Sequence, residues 1–388
     1  MPNTIKLSIC TIPDDVPVAR DAPRPLSLRN ENYEGQYDWK TLFYDVYASG
    51  KYVVFQGPPL FNLKERLTRY PYFASKLGAL NFQNRIYDRK LANDIWIKSD
   101  DKKISLRGDL GSFDIDVQPD GNGLFAGKRV LLTLSKNNEI HWIIDWITYY
   151  VNSQGTDAVL FYDNNSDKYS PGELQDALSS AFPGLLILVI SWPFKYGPQG
   201  GVSGGVGGKI APWDSVFCQI GVLQHARFRF LQKARSVLNC DIDELIVSKS
   251  PQSVYERAEA SIFGVTHFGG VWISNASAAE ITGGVRRHAH YYYFEKEDTS
   301  KCANKWCAVP RKCSAALNTW TVHSIANQPS KFLPAKEYVY RHFKPISDNW
   351  KYGRYKESDF SPEDFVEDIE LRQAMEKYIP SRKREEAA

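Results

Sequence analysis

The sequence predicts an α/β protein with a doubly wound, mostly parallel sheet flanked by helices. Three observations predict it. From Lys128 onward, short apolar runs alternate with stretches of helical length. Each apolar run closes in polar residues, as strands do when their carboxyl ends open onto a site. One run, Val237-Leu238-Asn239-Cys240, leads directly into Asp241-Ile242-Asp243-Glu244 before Leu245-Ile246-Val247 resumes the apolar pattern. Carboxylates are costly inside a strand, so this cluster belongs where the chain leaves the sheet.

Residues 1–125 read differently, as an N-terminal β-rich accessory domain. The β-prone runs Lys51–Gln56, Asp94–Lys98, Lys103–Arg107 and Ser112–Val117 are separated by turn signals such as Gly57-Pro58-Pro59 and Pro119-Asp120-Gly121-Asn122-Gly123. One helix is expected from Leu63 to Leu80. Asp114 and Asp116 alternate with Phe113, Ile115 and Val117, which marks them as the solvent face of a strand rather than a site.

Residues 126–355 carry the α/β pattern. Arg129–Ser135 is a buried strand, broken by Lys136-Asn137-Asn138-Glu139. A helix follows over Ile140–Val151, and Gly155 lies just past its end. The next strand is Ala158–Tyr162, closed by Asp163-Asn164-Asn165-Ser166-Asp167. Ser170 caps a helix to Ala181, with Pro171 in its first turn. Leu185–Ile190 is the third strand, then a Gly-rich loop from Gly197 to Gly208, a long helix from Asp214 to Ala234, and the core strand Ser236–Cys240. His288–Phe294 reads as a strand. Residues 356–388 read as a helix, Pro362 to Tyr378, and a charged tail containing Ser381-Arg382-Lys383-Arg384, a stretch able to touch an anionic membrane.

Composition narrows the function. A formal net charge of +3 over 388 residues argues against a nucleic-acid binder. The most apolar run, Leu185–Ile190, is too short to span a bilayer. Met1–Val16 contains proline and acidic residues and lacks a signal-peptide core, so a cytoplasmic location is expected. The spacing of Cys302, Cys307 and Cys313 fits no zinc pattern, and free thiols in a reducing compartment are the expectation for all six cysteines.

Residues two apart on an extended chain face the same way, so Asp241 and Asp243 can share one ligand. Two clustered carboxylates repel unless a cation lies between them, and hard oxygen ligands suit Mn²⁺ or Mg²⁺. The plain alternative is an N-cap or a surface ion-pair cluster. The Gly-rich loop lacks Gly-Lys-Ser/Thr and does not follow the first strand of the domain, so it reads as a lid or linker rather than a phosphate loop, although Lys209 could reach a phosphate.

Five segments in order carry a family resemblance. Asn138-Glu139 with His141-Trp142-Ile143-Ile144-Asp145-Trp146, and Phe161-Tyr162-Asp163-Asn164-Asn165-Ser166-Asp167, resemble the opening of GT-A glycosyltransferases of the bacterial family-2-like and family-92-like groups. Asn239-Cys240-Asp241-Ile242-Asp243-Glu244-Leu245 resembles their metal motif. Asn304-Lys305-Trp306-Cys307-Ala308-Val309-Pro310 with Val322-His323, and Arg341-His342-Phe343-Lys344-Pro345-Ile346-Ser347 with Lys351, resemble their later segments. The match spans residues 128–355.

The resemblance implies a GT-A fold and metal-dependent, inverting transfer of a sugar. The donor would be a nucleotide-sugar, commonly a UDP-sugar. The acceptor would be a hydroxyl of a glycan or lipid-linked molecule, in building a surface polysaccharide or lipopolysaccharide at the cytoplasmic side of a membrane. It implies Mn²⁺ or Mg²⁺ on Asp241 and Asp243, completed by His323 or His342. Asn138, Glu139, Asp163, Asp241, Lys305, Lys344 and Lys351 would contact the nucleotide-sugar. Asp163 is equally readable as a turn residue. An acceptor hydroxyl needs a general base. Glu280, Glu295, Glu297 and Asp298 lie in the right part of the chain, with Glu280 and Asp298 the foremost choices. Trp272, Trp306 and the aromatics of His288–Phe294 could stack on a sugar, with core packing as the default. Two other readings compete. A nucleotidyl- or phosphosugar-transferase would also use clustered carboxylates. A non-catalytic carbohydrate-binding protein would not need Asp241, Asp243 and Glu244 intact.

Overall fold

The computed structural model describes residues 5–77, 83–198, 214–277, 281, 284–298, 300–347 and 360–379. Its internal contacts divide the chain into two compact units, Met1–Leu124 with Pro193–Gln232, and Phe125–Trp192 with Lys233–Ala388. The first unit therefore draws a segment from the middle of the chain.

The first unit is β-rich. Its four-stranded antiparallel sheet runs in the order Asp45–Ser49, Tyr52–Gly57, Asn93–Lys98, Arg85–Asp88. A separate hairpin pairs Lys103–Gly108 with Gly111–Asp116. Asp114 and Asp116 are exposed on it, and Asp114 bonds Ser105 and Arg107, so the solvent-face reading of this Asp-x-Asp holds. The expected single helix is two, Leu63–Thr68 and Pro71–Lys76, because Pro71 has no N–H to continue the first and instead starts the second. Residues 78–82 lie outside the described residues.

The helix expected over 214–234 is the α-helix Phe217–His225 extended by a wider turn, Ala226–Phe230. All its residues but Gln219 are buried, Gln224, His225, Arg227 and Arg229 included. Arg229 pairs with the buried Asp45 at 2.5 Å and His225 bonds it at 2.9 Å, so this carboxylate is satisfied within one core. Gly221 meets the Tyr44 ring so closely that a Cβ would lie 2.5 Å from it.

The second unit is mixed α/β, built on an eight-stranded sheet. In chain order its strands are β1 (Arg129–Ser135), β2 (Ala158–Asp163), β3 (Leu186–Ser191), β4 (Ser236–Asn239), β5 (Glu244–Ser248), β6 (Val265–Ile273), β7 (Lys301–Ala308) and β8 (Tyr338–Phe343). Across the sheet they run β3-β2-β1-β4-β7-β6-β8-β5. The flanking helices are α1 (Ile140–Gln154), α2 (Pro171–Ala181), α3 (Val254–Ala260) and α4 (Ile369–Tyr378).

The parallel sheet expected from the sequence is found in β3, β2, β1 and β4. The other half is mixed: β7 is antiparallel to β4 and β6, β8 is parallel to β6, and β5 is antiparallel to β8. Chain length explains this. Parallel neighbours need a crossover of about a dozen residues or more. Only Cys240–Asp243 separate β4 from β5, so β5 cannot return beside β4 in parallel and instead pairs at the far edge.

Local signals explain the helices. Ser170 accepts from the Glu173 N–H, and Glu173 bonds the Ser170 N–H in return, a capping box that starts α2 at Pro171. Helix α1 stops at Gly155, whose φ of 71° suits a residue without a Cβ. Helix α1 buries Trp142, Ile143, Trp146 and Ile147 against the sheet, and its Tyr150 and Tyr149 hydroxyls donate to the Glu244 and Ile246 carbonyls of β5 at 3.0 and 2.8 Å.

Two expectations change. His288–Phe294 is not one strand. His288–His290 forms a single tight turn, and only Tyr293–Glu295 is extended, paired with Phe365–Glu367. The C-terminal helix starts at Ile369 rather than Pro362, because Asp368 caps it by accepting from the Leu371 N–H at 3.0 Å. The six cysteines, all among the described residues, form no disulfide. No helix among the described residues is long and apolar enough to cross a membrane.

Candidate active site

The short connection from β4 to β5 is a turn. The Glu244 N–H donates to the Asp241 carbonyl at 3.1 Å, and the Asp241 N–H donates to the Glu244 carboxylate at 2.9 Å. The extended-chain argument for Asp241 and Asp243 therefore does not apply here, and the two carboxylates take different partners. Asp241 pairs with Lys305 of β7 at 2.7 Å, whereas Asp243 bonds His342 of β8 at 3.0 Å. Glu244 stands between them. It pairs with Lys305 at 3.1 Å, and its carboxylate lies 3.9 Å from the His342 ring.

Sheet register sets this geometry. Glu244 and His342 are direct antiparallel partners, and Trp272 of β6 is the parallel partner of His342 on the other side. The Trp272 ring stacks on the imidazole with centroids 4.0 Å apart and planes 20° from parallel. Trp306 does core work instead: it is fully buried, packs edge-on to Trp320, and donates its indole N–H to the Thr321 carbonyl.

Two further contacts fix the turn and its neighbour. His288 bonds the Ile242 carbonyl at 2.9 Å, from the segment expected to be a strand. Asn239, the last residue of β4, donates to the Val322 carbonyl at 3.0 Å and so holds the residue next to His323. His323 lies close enough to Lys305, Asp241 and His342 to feel their charge.

The electrostatics follow from burial. Glu244 is buried, which drives its carboxyl upward, and the neighbouring Asp241 and Asp243 add to this, while Lys305 and His342 oppose it. Burial also penalises the Lys305 ammonium, but Asp241 and Glu244 more than offset that, so it stays charged. His342 follows the same logic: burial lowers its pKa, yet contact with Asp243 outweighs this and brings it to about 10. His323 goes the other way. The surrounding protein and the Lys305 charge hold its pKa down at about 4, although its side chain reaches solvent.

Asp243, Glu244 and His342 each place a ligand atom within 4.8 Å of the others, the one such group among the described residues. Ligand atoms about 2.0–2.6 Å from one cation span such a distance, and two carboxylates with an imidazole that gives up its proton on the ion's arrival suit a divalent ion. The residues present therefore fit a metal. Glu244 was not among the ligands expected from the sequence, while Asp241 and His323 lie beside the group rather than in it. The Asp-x-Asp-Glu run held the signal for Glu244, but its burial and its alignment with His342 are properties of the sheet.

The remaining predicted site residues sit elsewhere in the second unit. Asn138 donates to Ser135 at 2.8 Å, and its carbonyl accepts from the Tyr169 hydroxyl, so it ties the turn after β1. Glu139 precedes α1 and pairs with Lys168. Asp163, at the end of β2, accepts from the Ser166 N–H and hydroxyl at 3.1 and 2.5 Å, the geometry of the turn reading. Its carboxyl is raised by burial, an effect that the Ser166 bonds oppose. Lys344 pairs with Asp298 at 2.8 Å and Glu295 at 3.4 Å. Burial pushes the Asp298 carboxyl up, but the Lys344 and Ser300 bonds prevail and hold it at about 2. Such a carboxylate is a weak base. Glu280, Lys351, Lys209 and residues 199–208 of the Gly-rich loop lie outside the described residues.

Comparison with known proteins adds two findings. The sequence model of glycosyltransferase family 92 matches residues 134–378. No curated protein sequence matches the chain.

Proposed function

The chain belongs to glycosyltransferase family 92 and is a glycosyltransferase, and from that premise we propose that it moves a sugar from a nucleotide-sugar, a UDP-sugar foremost, to a hydroxyl of a glycan or lipid-linked acceptor at the turn between β4 and β5. The second unit then corresponds to a GT-A domain. The observation that carries this reading is the gathering of Asp243, Glu244 and His342, with Lys305 and Asp241 alongside.

Asp243, Glu244 and His342 would hold Mn²⁺ or Mg²⁺. When bound, that ion supplies charge neutralisation to the diphosphate leaving group. Lys305 is buried and positively charged, and it orients Asp241 and Glu244 so that the turn keeps one shape. Trp272, stacked on His342, fixes the imidazole plane. His323, kept neutral near physiological pH, can accept a hydrogen bond from a donor hydroxyl or phosphate. Lys344, paired with Asp298 and Glu295, lies two residues beyond His342 and serves as a further cation toward phosphate oxygens. In a single-displacement, inverting reaction the acceptor proton passes to a carboxylate. Asp298, ion-paired with Lys344 and held at about 2, is a poor acceptor for that proton, so Glu280 is the residue proposed for the role.

The test is hydrolysis of a panel of nucleotide-sugars with Mn²⁺, Mg²⁺ or EDTA, because slow transfer to water needs no known acceptor. Release of nucleoside diphosphate from one sugar, abolished by EDTA and by Asp243→Ala, is expected. A chain that neither hydrolyses nor binds any donor in calorimetry would overturn the reading.

A further inference from the structure

Most large apolar side chains of the second unit are buried, yet five are exposed on three neighbouring turns: Ile262 (89%), Phe263 (52%), Leu317 (63%), Phe332 (75%) and Leu333 (84%). The turns are tied to the start of β6. Lys312 packs over Gly264, where a Cβ would lie 2.6 Å from its side chain, and donates to the Ser261 carbonyl at 2.7 Å, which clamps the turn bearing Ile262 and Phe263. His267, three residues on, bonds the Ser330 hydroxyl at 2.8 Å, and its carbonyl accepts from the Ala335 N–H at 2.8 Å, which seats Phe332 and Leu333. Asn327 donates to the Leu317 carbonyl at 2.7 Å and joins the third turn to the second.

The charge on these turns has one sign. From Val309 to Lys336 the chain carries Arg311, Lys312, Lys331 and Lys336 and no Asp or Glu. The carboxylates flanking them are already paired, Glu259 with Arg129 and Arg235, and Glu337 with Arg257. Pro329 and Pro334 bracket Phe332 and Leu333, so the two side chains are presented with little backbone freedom. Apolar tips ringed by cations match the headgroup boundary of an anionic bilayer, where rings and alkyl groups enter the acyl region and ammonium groups stay with phosphate. A protein partner reached mainly through apolar contact would not need the one-signed charge.

We propose that this end of the second unit docks on an anionic lipid surface. The same stretch carries His323, beside Lys305 and Asp241. The lipid contact itself does not depend on the donor or on the transfer reaction.

The experiment is sedimentation of the full chain with vesicles of phosphatidylcholine alone or with about 30% phosphatidylglycerol, at salt from about 50 to about 500 mM. No sugar is added, so its failure is separate from failure of the transfer reading. The wild type should partition at least tenfold better onto the anionic vesicles and lose that preference at high salt. Phe332→Ser with Leu333→Ser, and separately Lys331→Glu with Lys336→Glu, should each lower partitioning at least tenfold at unchanged melting temperature. Equal binding to both vesicle types, no binding, or variants that bind as the wild type does would overturn the proposal. So would self-association in the absence of lipid that the Phe332 and Leu333 changes abolish, because a second copy would then be the occupant.

Discussion

The imidazole of His288 meets the carbonyl of Ile242 at 2.9 Å, in the middle of the Asp241–Glu244 turn. Burial lowers the pKa of this histidine to about 4, so the ring is neutral and its Nε2–H is the donor. His288→Phe keeps a ring there but leaves a buried carbonyl without its donor. A buried acceptor stripped of its partner costs about 1–3 kcal/mol. Chemical denaturation should show that loss, with about tenfold weaker Mn²⁺ binding as the turn loosens. Unchanged stability would mean that the turn holds its shape without His288.

Lys305 is the positive centre of a buried cluster, with no exposed side-chain surface and two carboxylates within 3.1 Å. Lys305→Met should destabilise by about 3–5 kcal/mol, because it leaves buried negative charge uncompensated. Adding Glu244→Gln should recover part of the loss, since Asp241 can then turn to water. A fully additive double mutant would contradict the coupling.

Gly270 lies on β6 opposite Tyr340 of β8, and a Cβ there would come within 2.3 Å of the Tyr340 ring. The ring cannot move freely, because its hydroxyl donates to the Ala303 carbonyl at 2.5 Å and its neighbour two residues on is His342. Gly270→Ala should cost about 1–3 kcal/mol through overpacking. A melting temperature equal to that of the wild type would show that the sheet absorbs the extra carbon without strain.

His267 gives a pH dependence with a definite sign. Burial, with Lys331 nearby, lowers its pKa from the usual 6.5 to about 4. The unfolded chain therefore takes up this proton first, and the stability associated with the neutral ring is lost as pH falls from about 6.5 toward 4. His267→Gln keeps hydrogen-bonding capacity without titrating. Its melting temperature should drop less than that of the wild type between pH 7.5 and pH 5.0. Parallel losses in both proteins would place the acid sensitivity elsewhere.

Much of the second unit was legible because local chemistry and fold agree. The runs of β1, β2, β3 and β4 are mostly apolar, polar residues follow them, and Ser170, Glu173 and Gly155 mark helix ends with their own hydrogen-bonding groups. The mixed half was not legible. The sequence of β6, β7 and β8 does not state that β7 slots between β4 and β6, which depends on contacts between distant residues. The site shows the same division. Asp243 and His342 were singled out from motifs, and the structure brings them together. Glu244 was not assigned, because its importance comes from facing His342 across a strand pair. Asp241 was assigned to the ion as a twin of Asp243, but the chain turns between them, and Asp241 faces Lys305 instead.

The most direct test of the account is Mn²⁺ binding, followed by calorimetry or by loss of the free-ion electron paramagnetic resonance signal, with and without UDP. The account predicts one ion per chain, binding weakened at least tenfold by Asp243→Asn or His342→Ala and left intact by Asp298→Asn. Binding unaffected by the first two changes, or none even with UDP present, would contradict the assignment of Asp243, Glu244 and His342 as the metal-holding group.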